Sequence, residues 1–275
     1  MKKFSFSTVV IRVTLLIGII FSVFPFYWML VMSSRTNSEI FSVPPYLTIG
    51  GNLIENMKEV LTTTNFFQSF INTVFVSVVS TILVLFFSTL AGYTFAKFNF
   101  KGKKILFLTL LSTMMIPGLL NIVPQYIMMD KIGWVGSYKA VIAPGLASAF
   151  GIFWIKQYSE GAIPTSIIEA ARIDGSSEFG TYWRIALPIM RPAVAFLALY
   201  QFMISWNDYM WPLIILNDPA KYTLMLELTS LQGLYHTNYP LVISGTLLSI
   251  VPVLIVFIFF SKQLMAGLTA GAVKE

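Results

Sequence analysis

The sequence offers few side chains that could do covalent or metal chemistry, and their spacing argues against a catalytic centre. Cysteine is absent, which removes a disulfide framework, a thiolate metal site and a cysteine nucleophile. The single histidine, His236, leaves no cluster for a metal or a catalytic relay. A P-loop needs G-x-x-x-x-G-K-[ST], so that backbone N–H groups cradle phosphate and a hydroxyl holds magnesium. Gly102-Lys103-Lys104 imitates the end of that motif, but position 97 is Lys97 and Lys104 stands where the hydroxyl should be. G-x-S-x-G, H-E-x-x-H and a carboxylate dyad are also missing. The chain is therefore expected to be no enzyme and to carry no cofactor of its own. Any ATP and magnesium would be held by another polypeptide.

Two polar constellations remain. The first is Ser205-Trp206-Asn207-Asp208-Tyr209-Met210-Trp211-Pro212, where Asp208 is the one acid inside an otherwise apolar stretch. Asn207 and Asp208 suit a helix cap at a membrane rim, with the tryptophans in an aromatic belt. Alternatively, Trp206, Asn207, Asp208 and Trp211 line a solute pathway. A lone acid near an interface is a thin basis for a proton relay. The second constellation is the loop from Ile163 to Pro192. Ser166 with Glu169 three residues on reads as a capping box, so a short helix should start there after Pro164. Asp174-Gly175 reads as its stop, because glycine accepts the left-handed conformation that ends helices. Ser176 or Ser177 can cap a second short helix, expected to end before Pro188. Ile168, Ile173 and Phe179 are candidate apolar anchors for a partner's groove, although an amphipathic loop lying on a membrane would read alike.

The elements that position these residues follow from composition. The 275 residues are 56% hydrophobic and only 11% charged, against about 25% charged in an ordinary soluble domain. Mean hydropathy is +0.77, which excludes disorder and a large water-soluble core. A helical span needs about 20 apolar residues to cross about 30 Å of hydrocarbon. Charge-poor stretches at 13–32, 70–95, 105–128, 140–155, 193–213 and 241–260 give six such spans. The first follows Met1-Lys2-Lys3, as a signal peptide would, but its apolar run is too long and no A-x-A-like site follows, so a retained helix is expected. Pro25, Pro117, Pro124, Pro144, Pro212 and Pro252 sit in or beside the spans and point to bent helices around a cavity.

Six spans place both termini on one side. Thirteen of the eighteen Lys and Arg residues then fall on that side and five on the other. The positive-inside rule makes the termini cytoplasmic. The basic balance, with pI near 9.4, is thus a topology signal, and no basic stripe for nucleic acid is present.

The loop Glu169-Ala170-Ala171, three residues, Gly175, nine residues, Ile185-Ala186-Leu187-Pro188 resembles the EAA loop of permease subunits of binding-protein-dependent ABC importers. Glu39-Ile40-Phe41-Ser42-Val43-Pro44-Pro45 and the tail Gly267-Leu268-Thr269-Ala270-Gly271-Ala272-Val273-Lys274 resemble the MalG-like carbohydrate permeases. The resemblance implies an all-α, polytopic membrane protein with six transmembrane helices and the type I importer (MetI-like) permease fold. It implies a permease domain at 66–261 with a coupling loop at 160–192, preceded by 1–65 and followed by a cytoplasmic tail at 262–275. It further implies an inner-membrane location and a di- or oligosaccharide cargo moved by alternating access. The implied partners are a homologous second permease, an ABC ATPase dimer, an extracytoplasmic solute-binding protein and membrane lipid. In that family Glu169, Ala170, Ala171 and Asp174 would form the docking helix and Gly175 its corner. Ile185, Leu187 and Pro188 would lead into the fifth span. An ion-coupled carrier using Asp208, or a membrane scaffold that transports nothing, are the competing classes.

Overall fold

The computed structural model describes residues 6–233 and 237–270, with side chains for 9–233 and 237–258. His236, Lys2, Lys3 and the end of the tail lie outside the described residues. Among those described the chain is helical, with one isolated antiparallel bridge between Gln232 and Thr237.

Three helices, Phe6–Ser33, Phe66–Lys97 and Tyr239–Ala270, are continuous and of 28, 32 and 32 residues. At 1.5 Å per residue each exceeds the hydrocarbon thickness. Pro25 and Pro252 lie inside two of them without ending them. The other three spans are bent pairs, so the total is six when each pair is one span.

The bends agree with the expectation of bent helices, and they fall at only some of the prolines. The third span turns by 98° between Lys103–Thr113 and Gly118–Lys131, where Pro117 takes an extended ψ of 128°. Pro124 causes no break, because it falls in the first turn of Ile122–Lys131, where N–H groups have no helical partner anyway. The fourth span turns by 42° after Pro144-Gly145, and Ser148 caps its second half by accepting from Gly151 N–H at 3.0 Å. The fifth was expected to run to Leu213, yet its helix Arg191–Trp206 stops at Asn207 and a separate short helix spans Met210–Ile215.

The chain folds as two compact units. In the unit formed by the described residues of Met1–Phe67 and Glu227–Val251, the first helix ends in a polar clamp. Asn56 Nδ2 donates to the carbonyls of Ser33 and Arg35 at 2.8 and 3.1 Å, satisfying groups a helix end leaves orphaned. Thr36 and Glu39 form a complete capping box. The buried Glu227 carboxylate accepts from the Asn65 N–H at 2.8 Å. Phe41 and Val43, in the segment that resembles the carbohydrate permeases, stay exposed.

The other unit, the described residues of Gln68–Leu226 and Pro252–Glu275, carries both constellations. One core joins Tyr93, Ile155, Ile163, Ile168, Tyr182, Met190 and Leu197 beneath the EAA segment. A second joins Met129, Ala140, Trp211, Ile215, Leu216 and Leu226. Asn72 stitches the second region to the Phe66–Lys97 helix, donating to Ala220 and Tyr222 carbonyls at 3.0 and 2.9 Å. Asn72→Leu should therefore cost about 1 kcal/mol or more, the loss of two part-buried hydrogen bonds. Thermal unfolding in detergent checks this, with the exposed neighbour Gln68→Leu expected to cost less.

Candidate functional site

The EAA segment folds as helix, corner, helix. The first helix is Thr165–Ile173, and Pro164 is its N-cap. Ser166 is thus already the second helical residue, too late to cap, and the expected Ser166–Glu169 capping box does not form. Gly175 has φ +77°. Its N–H donates to the Arg172 carbonyl at 3.1 Å, and the Ser176 N–H donates to the Ala171 carbonyl at 2.9 Å. Together these are the two bonds of a Schellman motif. Ser177 then caps the second helix by accepting from the Gly180 N–H at 3.1 Å. Across the corner, Arg172 Nε donates to Glu178 Oε1 at 2.7 Å. That hydrogen bond raises the Arg172 pKa above its ordinary value.

The second helix does not end before Pro188. It widens to a π-turn at Tyr182–Ala186, with the Leu187 N–H reaching the Tyr182 carbonyl five residues back, and continues helically through Pro188 to Ile189. The π-turn moves the ladder out of step, so the donor that Pro188 lacks interrupts no regular run. The chain then turns by 80° into Arg191–Trp206.

Burial separates the motif residues into two sets. Glu169, Ala170, Asp174, Gly175 and Pro188 are exposed, Ala171 is buried, and Ile185 and Leu187 are half-buried. Ile168 was read as an outward anchor, but at 3% exposure it is part of the chain's own core; Ile173 is 86% exposed. Phe179 is also exposed, stacked at 6.3 Å on Trp183, a neighbour the sequence reading passed over. Beneath them the Tyr182 hydroxyl shares a 2.8 Å hydrogen bond with Thr89, and Lys97 Nζ donates to the Ile163 carbonyl at 2.6 Å. The exposed corner therefore stands on a stem fixed by packing and buried hydrogen bonds.

The Asp208 constellation is divided. Asp208 and Trp211 line a cavity of about 420 Å³. Trp206 is buried, edge-on to Phe70 at 5.9 Å, and is not in the cavity wall. Asn207 is exposed and bonds back to the Met203 carbonyl at 2.8 Å, ending its helix. Asp208 Oδ1 accepts from the Trp211 N–H at 3.4 Å, and Trp211 Nε1 donates to the Ala140 carbonyl at 2.9 Å. Capping and cavity lining thus coexist in this segment. Ser80, Asn121, Gln125, Gln201, Ser205 and Thr223 complete the polar part of the wall. They were missed because uncharged polar residues barely alter the hydropathy of a span. The available signal was Asn121, Gln125 and Gln201 standing singly in apolar runs. Among the described residues no group of acids or histidines could hold a metal.

Among the described residues, three continuous helices and three bent pairs of membrane length define a multi-pass membrane protein. The chain belongs to the family of binding-protein-dependent transport system inner membrane components, whose model matches residues 85–263. It is 39% identical over 203 residues to the arabinooligosaccharides transport system permease protein AraQ of Halalkalibacterium halodurans, covering 74% of this chain and 72% of that one. It is 34% identical over 253 residues to the lactose transport system permease protein LacG of Rhizobium radiobacter, covering 92% and 91%. A crystal structure of a bacterial ABC transporter involved in import of the acidic polysaccharide alginate contains a chain with a TM-score of 0.81. At 22% identity, covering 95% of this chain and 99% of that one, it shows a shared fold. These relatives are transport permeases of carbohydrate systems rather than enzymes. Membership of the family makes the chain an inner-membrane component and implies an ATPase and a solute-binding protein as partners.

Proposed function

We propose that this chain is one permease subunit of an ATP-driven importer for a neutral di- or oligosaccharide. It would pair with a homologous second permease and stand on two copies of an ATPase, with its termini in the cytoplasm. An extracytoplasmic solute-binding protein would deliver the sugar. ATP binding would close the ATPase dimer, draw the coupling loops together and turn the bundle outward; hydrolysis would return it inward. The energetic role of the loop is to convert a nucleotide-dependent contact into a population shift between two bundle states.

The observation that supports this most is the Gly175 corner. An exposed helix bearing Glu169, Ala170 and Asp174 ends in a Schellman turn, on a stem whose Tyr182 and Ile168 are packed into the same core as Ile155 and Leu197. A push on such a helix reaches the bundle without being absorbed by a soft loop. The wall of the Asp208 cavity supports the cargo class, since amide and hydroxyl groups beside an indole suit a sugar.

Co-purification from membranes followed by ATPase assay tests the reading. The expected result is a complex whose ATP hydrolysis rises on adding the sugar-loaded binding protein. Replacing both Phe179 and Trp183 by alanine should weaken ATPase retention by about a thousandfold, because truncating central aromatic anchors costs roughly 2 kcal/mol each and every 1.4 kcal/mol is about tenfold. ATP-independent uptake abolished by Asp208→Asn would replace the proposal with an ion-coupled carrier.

A further inference from the structure

We propose that the Asp208 cavity is a charge filter, open to neutral and cationic polyhydroxy solutes and closed to anionic saccharides such as uronates and sugar phosphates. The proposal rests on reading this cavity as part of a sugar path. Seventeen residues line the cavity, and Asp208 is the only charged one. Among the described residues none of the ion pairs involves Asp208, and its carboxylate's one hydrogen bond is the long contact from the Trp211 N–H at 3.4 Å. The carboxylate is therefore left without a compensating cation in a wall otherwise made of apolar groups, amides and hydroxyls.

Such a wall treats solutes unequally. A neutral sugar can donate a hydroxyl to the Asp208 carboxylate, a charge-assisted bond, and exchange further hydrogen bonds with Gln125, Gln201 and Ser205. An anionic solute in the same space meets a like charge across low-dielectric walls, where repulsion is stronger than in water. It finds no Lys, Arg or His in the lining to offset that repulsion. An amide at this position would also accept a sugar hydroxyl, so what only the carboxylate adds is discrimination against anions.

The absence of cysteine makes the test direct, because an introduced thiol is the only one in this sequence, and the parent complex without it gives the background to subtract. Ser205→Cys and Ser80→Cys are made separately in the full chain, purified with whatever partners accompany it and placed in nanodiscs at pH 8. Each thiolate attacks a methanethiosulfonate reagent, forming a mixed disulfide and releasing methanesulfinate. The probes are a cationic trimethylammonium reagent and an anionic sulfonate reagent of similar size. Their rate ratio is divided by the ratio for a small free thiol. The expected result is a cationic preference of at least about fivefold, the ratio that one charge at about 8 Å gives between a cation and an anion even at the dielectric of water. Asp208→Asn in either background should abolish the preference. Equal normalised rates, a preference that survives Asp208→Asn, or no reaction with either reagent would overturn the filter.

The importer reading fails separately. If deleting the chain leaves uptake of every tested neutral oligosaccharide unchanged, that reading is lost while the reagent preference still stands.

Discussion

Gly175→Val is expected to lower sugar-stimulated ATP hydrolysis of the assembled transporter by about tenfold while leaving the membrane bundle folded. Nothing lies within 4 Å of a Cβ built at Gly175, so added bulk meets open space. The cost is conformational: at φ +77° an L-residue brings Cβ against its own carbonyl, at about 1–2 kcal/mol, and a β-branched side chain fares worst. A penalty of that size favours states in which the turn is undone, releasing the Arg172 and Ala171 carbonyls and rotating Glu169, Ala170 and Asp174 away from any partner. About 1.4 kcal/mol against the docked geometry corresponds to the tenfold loss. Gly175→Asn supplies the control, because asparagine tolerates the left-handed region and should keep most of the stimulation. A valine variant as active as the asparagine variant would mean that the corner does not transmit anything. The readout is ATPase activity with and without binding protein, alongside thermal unfolding of the complex.

That corner was legible because it is encoded locally: Asp174-Gly175 after an Ala-rich turn allows little else. The neighbouring expectations failed where the deciding interaction was not local. Ile168 and Ile173 are both apolar and helical, and periodicity alone cannot say which one faces the chain's own core. The structure decides through Ile163 and Tyr182, which take Ile168 into their core and leave Ile173 outside. Likewise, proline inside an apolar run fits either a kink, a pass-through or a sharp break. Pro252 and Pro124 sit within helices, whereas Pro117 marks a 98° turn, and Met114-Met115-Ile116 before it are too apolar for hydropathy to register the change. The π-turn at Tyr182–Ala186 has no sequence signature and was read as an ending at Pro188. Charge placement did reveal the spans, because burying a charge in lipid is costly wherever it occurs. For the same reason Asp208 stood out while Gln125 and Gln201, equally part of the cavity wall, did not.

Gly92→Leu is expected to have the largest effect on stability, lowering it by about 3 kcal/mol or more, at or beyond the upper end of ordinary overpacking. A Cβ at Gly92 would lie 2.7 Å from Ile155 Cβ and 3.0 Å from the Ile152 carbonyl oxygen. Neither is the free end of a flexible chain, so one helix must move. The same two helices meet again at Gly151, where a Cβ would lie 3.1 Å from Ser88 Cβ and closer still to Ser88 Oγ. Small residues at both crossings let the backbones of Phe66–Lys97 and Ala149–Ala162 come close enough for packing to hold them, the usual solution in lipid. Ile155 belongs to the core that also contains Tyr182 and Ile168, so a wedge at Gly92 disturbs the stem of the EAA corner as well. Gly18→Leu is the matched control: nothing lies within 4 Å of Gly18, and the exchange should be neutral or stabilising by up to about 1 kcal/mol through helix propensity. The milder Gly92→Ala should be partly rescued by Ile155→Gly, which removes the Cβ and Cγ2 atoms it strikes, giving a non-additive pair in thermal unfolding. If Gly92→Leu unfolds with Gly18→Leu, or if Gly92→Ala and Ile155→Gly simply add, the close approach does not hold these helices together. In that case the stem beneath Gly175 must draw its rigidity from the hydrogen bonds of Thr89 and Lys97 alone.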